Sequence, residues 1–133
     1  MELREIESIK ITNSPCGNCY GNTESLELNE LGEINHNYYN YSGNKVVKNI
    51  DYKVSEHDMK RLFKYALNHV EVDKWESCYN DEVTNGHKWE FEVRYSDNNT
   101  SKILGNAGVP PKANKLIQGI LSLTNFKADP WIF

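Results

Sequence analysis

The stretch Lys88-Trp89-Glu90-Phe91-Glu92-Val93-Arg94-Tyr95 decides how this chain is read. Trp89, Phe91, Val93 and Tyr95 fall on one side of an extended backbone, and Lys88, Glu90, Glu92 and Arg94 fall on the other. Successive side chains of a strand point to opposite faces, so this alternation describes a strand with one dry face and one wet face. A sheet with a dry face needs an apolar layer to cover it. Residues 55–70 supply a candidate layer. Ser55 is a suitable N-cap, and Asp58 three residues on makes an approximate capping box. Met59, Leu62, Phe63, Ala66, Leu67 and Val70 then share one side of a helix predicted over 56–70, opposite Lys60, Arg61, Lys64 and Asn68.

The same alternation extends outward in both directions. Ile9 and Ile11 mark a strand over residues 6–12. Leu26 and Leu28, the turn Glu30-Leu31-Gly32, then Ile34, His36 and Tyr38 read as a hairpin. Val46, Lys48, Ile50, Tyr52 and Val54 recur with period two after the Ser42-Gly43-Asn44 turn, giving a strand over 45–54. Downstream of the first helix, residues 75–84 read as a strand joined to the 88–95 strand by Asn85-Gly86, a pair that tolerates positive φ. Asp97-Asn98-Asn99 turns into a short strand over Thr100–Leu104, and Gly105–Gly108 reads as a loop. Pro110-Pro111 is expected to open a second helix striped by Ala113, Leu116, Ile117, Ile120 and Leu121. The expected fold is α+β: an antiparallel sheet of six to seven strands with two amphipathic helices packed on one face, in one domain over residues 1–133. Most strand links are too short for parallel crossovers.

The run from Trp89 to Pro111 joins an amphipathic strand, a polar turn, a short strand, Gly105 and a proline-led helix. In this it resembles small bacterial α+β domains of unknown function. The resemblance implies a fold that adds an N-terminal hairpin and a helix to this ending. It carries over no activity and no catalytic residue.

Composition narrows the function classes. A chain of 133 residues buries about two-thirds of its unfolded surface, so it needs no disulfide framework. A net charge of −4, with no basic stripe, argues against nucleic acid as a partner. The acidic start Met1-Glu2-Leu3-Arg4-Glu5 has no signal-like apolar run, and no segment has the roughly 18 apolar residues of a membrane span. Three cysteines are then expected to be reduced thiols in the cytoplasm. Heavy use of Asn, Lys, Ile and Tyr is common in bacteria with AT-rich genomes.

Cys16-Gly17-Asn18-Cys19 is the constellation with chemical content. A redox pair of this spacing needs a helix N-terminus to lower the thiol pKa, but a strand pattern follows it here. A structural zinc site would take Cys16, Cys19 and Cys78 with one of His36, His57, His69 or His87. The plain alternative is a tight loop in which both cysteines pack as small apolar residues. Anion binding at Gly105-Asn106-Ala107-Gly108 is weakened by Pro110 and Pro111, which lack N–H donors. There is no Gly-x-Ser-x-Gly, no phosphate-binding Gly-Lys loop and no His-Glu-x-x-His.

Tyr38, Tyr39, Tyr41, Trp75, Tyr79, Trp89 and Trp131 fit either a core or an interface. Pro130-Trp131-Ile132-Phe133 is expected to dock on its own domain. The expectation is a non-catalytic protein acting by protein–protein or ligand binding, in the manner of immunity proteins, with no cofactor. The alternative is a thiol-redox or zinc protein built on Cys16 and Cys19.

Overall fold

In a computed structural model of the protein, residues 5–14, 24–39, 45–80, 88–106 and 110–124 are described. Cys16, Cys19, the Asn85-Gly86 turn, His87 and the Trp131-Ile132-Phe133 tail lie outside them.

The strands are β1 (Ile6–Ser14), β2 (Glu24–Asn29), β3 (Glu33–Tyr39), β4 (Val46–Lys53), β5 (Cys78–Asn80), β6 (Lys88–Tyr95) and β7 (Thr100–Asn106). They form one sheet in the order β4-β3-β2-β1-β6-β7-β5. Every neighbouring pair is antiparallel except β5–β7, so the sheet is mixed and the antiparallel expectation is corrected at that edge. The expected β5–β6 hairpin across Asn85-Gly86 is corrected with it. β6 has β1 on one side and β7 on the other. Both of its hydrogen-bonding edges are filled, which leaves β5 the outer edge of β7.

Two turns set the register of the hairpins. At the β2–β3 turn, Asn29 Oδ1 accepts from the backbone N–H groups of Leu31 (3.0 Å) and Glu33 (3.1 Å). Gly32 closes that turn at φ +88°, and a Cβ there would fall 2.1 Å from the Val54 carbonyl oxygen. Only glycine fits both conditions. At the β6–β7 turn, Asn98 takes φ +69°, which asparagine tolerates well. Tyr95 N–H donates to the Asn99 carbonyl (2.9 Å) across it.

Helix α1 spans Glu56–Tyr65, and the Ser55 hydroxyl accepts from Asp58 N–H at 3.0 Å, as the cap reading expects. The helical path runs on to Val70, but Ala66–Val70 is a π-helical turn. It stops at Glu71 (φ +63°), and a 3-10 turn follows over Val72–Lys74. Helix α2 spans Ala113–Leu123. The two prolines lie before it instead of forming its first turn, because Lys112 between them and Ala113 is left-handed at φ +62°. Lys112 Nζ donates to the His69 carbonyl (3.0 Å) and lies 3.6 Å from Glu71, which ties the start of α2 to the end of the π turn.

The interior is one cluster drawn from both kinds of element. Ile9, Ile11, Leu26, Leu28, Ile34, Phe91, Val93 and Ile103 come from the sheet. Met59, Leu62 and Phe63 of α1 and Leu116 and Ile120 of α2 join them. The strand members sit at one phase of the alternation: Ile9 is opposite Leu28 and Val93, and Ile11 is opposite Leu26 and Phe91. The helices touch at Gly119, where a Cβ would meet Leu62 Cδ1 at 2.8 Å. Trp75 leans on Phe91 with ring centres 5.1 Å apart, and its Nε1–H donates to the Pro111 carbonyl (3.1 Å). Gly105, expected in a loop, lies inside β7 opposite Trp89. A Cβ on it would fall 2.0 Å from the indole, so the glycine leaves room for that ring.

Candidate binding face

The second phase of the alternation builds a polar face. In one row across six strands stand Asp51, Asn35, Glu27, Lys10, Glu92 and Lys102. In the next stand Asn49, Asn37, Ser25, Thr12, Glu90 and Leu104. The first row alternates in sign over four adjacent strands, β2, β1, β6 and β7, as Glu27–Lys10–Glu92–Lys102. Opposite charges directly across a ladder stabilise it modestly, and like charges would do the reverse.

Small residues at the centre of the face leave a hollow. Thr12 and Ser25 are short and buried, and the Tyr39 hydroxyl lies 3.0 Å from Ser25 Oγ. Lys10, Thr12, Tyr39, Glu90, Glu92 and Lys102 line a cavity of about 220 Å3. Lys102 Nζ pairs with Glu90 Oε1 at 2.9 Å. That hydrogen bond and the Glu90 charge, with a smaller contribution from Glu92, hold the Lys102 ammonium above its ordinary pKa. Towards β4, Asn35, Asn37, Asn49 and Asp51 form a side-chain hydrogen-bond network. The face therefore offers paired charges of both signs, amides and a phenol, all carried on strands that fix their spacing.

A wider groove of about 670 Å3 lies beside α1, lined by Ile6, Phe63 and Leu67 with Lys60, Lys64 and Asp73 among its charges.

Among the described residues, the dry face carries a polar pair of a buried histidine and a half-buried glutamate. His36 on β3 is 0% exposed, and its Nε2 donates to Glu24 Oε2 of β2 at 2.7 Å. Among the described residues its Nδ1 has no hydrogen-bond partner. Tyr38 packs against the imidazole with ring centres 4.6 Å apart, and Lys48 Nζ sits 5.5 Å above the Tyr38 ring. A ring sealed this fully is not placed to meet a substrate.

The residues singled out from sequence are scattered. Cys16 and Cys19 lie outside the described residues, and Cys78 is exposed on β5. His57 is exposed at the start of α1, and His69 stacks on Tyr65 at 5.0 Å. Among the described residues, no three His, Cys, Asp or Glu side chains stand close enough to hold a metal ion. No described helix is long and apolar enough to cross a membrane.

Sequence reading placed Glu90 and Glu92 on wet positions of their strand but could not set Lys10, Glu27 and Lys102 beside them, because the row needs the strand order. It missed the His36–Glu24 pair as well, although a signal was present. The Glu30–Gly32 turn sets Leu28 opposite Ile34 and Leu26 opposite His36, which leaves Glu24 diagonal to the histidine on the same face. No protein-family model matches this chain, and no curated protein matches it closely enough to count as a relative.

Proposed function

We propose that this is a non-catalytic binding protein, immunity-like in mode, whose two helices share the apolar face and whose polar face receives a protein partner. The observation that carries the reading is the row Glu27–Lys10–Glu92–Lys102 with its central hollow. Two facts favour a common face for the helices. They touch at Leu62 and Gly119, and their buried residues belong to the same cluster as the inward phase of the strands. Six strands spaced at about 4.8 Å make a polar surface roughly 25 Å across. That is the scale of one side of an ordinary protein–protein interface, about 800 Å2 per partner. Paired charges of both signs give such a surface register and selectivity more than raw affinity. They suit a partner that presents both signs, and they suit a polyanion poorly.

The test is affinity capture with the wild type and with Lys10→Gln/Lys102→Gln, followed by cross-linking to locate the captured partner. The expected result is a partner cross-linked around Lys10 and Lys102 and lost from the double variant, whose thermal melt stays near wild type. Cross-links confined to α1 and α2, with capture unchanged in the variant, would overturn the reading.

A further inference from the structure

The hollow on the polar face holds two carboxylates and two ammonium groups, and they are not equally engaged. Lys102 Nζ is paired with Glu90 Oε1 at 2.9 Å. Lys10 and Glu92 stand directly opposite each other on β1 and β6. Among the described residues, neither of them is held in an ion pair. The two signs also sit at different depths. Glu90 and Glu92 are half-buried, whereas Lys10 and Lys102 are exposed. Negative charge therefore lies within the hollow and positive charge at its rim. Buried Thr12 and the half-buried Tyr39 complete the lining.

We infer that the hollow receives an arginine side chain of the protein partner, flanked on the partner by acidic residues; this rests on the reading of the polar face as the docking surface. Glu90 and Glu92 are two residues apart on one face of β6, so their Cα atoms are about 7 Å apart. A planar guanidinium with five N–H donors serves acceptors on both sides of such a gap better than a compact ammonium does. It is also more weakly hydrated than an ammonium, so it loses less on entering a space of about 220 Å3. The Tyr39 phenol adds an aromatic ring, a favoured neighbour of a guanidinium. Entry displaces Lys102 from Glu90, and an exposed pair of this kind contributes little. The freed Lys102 and the unpaired Lys10 are then left at the rim to meet the acidic flanks. An anionic anchor would instead meet the Glu90 and Glu92 carboxylates inside the hollow and be repelled.

Carboxyl-carbon NMR of the glutamate-labelled full chain tests this, titrated with the peptide acetyl-Asp-Arg-Asp-amide. A second peptide carries citrulline for arginine, which keeps the shape and removes the charge. Saturable shifts at the Glu90 and Glu92 carboxyl carbons are expected with the arginine peptide, and binding about tenfold weaker with citrulline. In Glu92→Gln the Glu90 response to the arginine peptide should weaken by a similar factor. An arginine peptide that gives no saturable shift up to about 10 mM overturns the inference. So does a citrulline peptide that binds equally well. Loss of partner capture in Lys10→Gln/Lys102→Gln beside a silent titration would leave the docking face standing and overturn the arginine alone. Cross-links confined to α1 and α2 beside saturable shifts specific to arginine would support the hollow as an arginine site and overturn the docking face.

Discussion

The two faces of the sheet are made by the same strands, residue by residue in turn, yet they are held to different standards. On the dry face Ile9, Leu28 and Phe91 are fully buried, and a change of one side chain alters packing on several neighbours. On the wet face Lys10, Glu27 and Lys102 are exposed, and their pairing is worth little to stability. What the wet face does have is fixed geometry, because its spacing is inherited from the packed side. The difference teaches that the dry phase of each strand sets the fold and the wet phase is free to be spent on recognition.

The sharpest break in that contrast comes from the helix layer. Phe63→Ala should cost about 3–5 kcal/mol in urea denaturation, because Phe63 is buried in the shared core. A loss below about 0.5 kcal/mol would mean that α1 does not seal the dry face. Gly105→Ala should cost about 1–3 kcal/mol, because its methyl group would overlap the Trp89 indole. An unchanged melting temperature would show that the indole has somewhere else to go. Lys10→Ala, on the wet face, should change stability by less than about 0.5 kcal/mol while weakening capture of a partner.

The smallest effect is a pH dependence of the Glu90–Lys102 contact. Lys102 has a raised pKa when folded, so this contact contributes fully below its ordinary value of 10.5. The contribution is lost as pH rises through the raised folded value. Thermal melts of the wild type and Glu90→Gln should differ slightly near neutral pH and converge in strong alkali. A difference that persists there would assign the effect to something other than this ion pair.

Much of the sheet was legible because alternation is local. Residues 88–95 and 33–39 carry their two phases in plain view, and Ser55 announces the start of α1. The position of β5 was not legible, because it depends on which edge remains after β1 and β7 have both taken β6. The π turn at Ala66–Val70 leaves the apolar stripe intact and so escapes a reading by periodicity. The Lys112 backbone at φ +62° gave no warning either, since nothing in Pro110-Pro111-Lys112 demands it. Of the candidate binding face, Glu90 and Glu92 were assigned their outward phase from the 88–95 alternation. Its assembly into rows, and the hollow over Thr12 and Ser25, required long-range pairing that no single segment encodes.

Phe91 and Glu92 are neighbours in β6 that point to opposite faces, so urea denaturation of Phe91→Ala and Glu92→Ala tests the division of labour most directly. A loss of about 3–5 kcal/mol for the first and less than about 0.5 kcal/mol for the second is the predicted outcome. Comparable losses at the two positions would contradict it, because the wet face would then be part of what holds the sheet together.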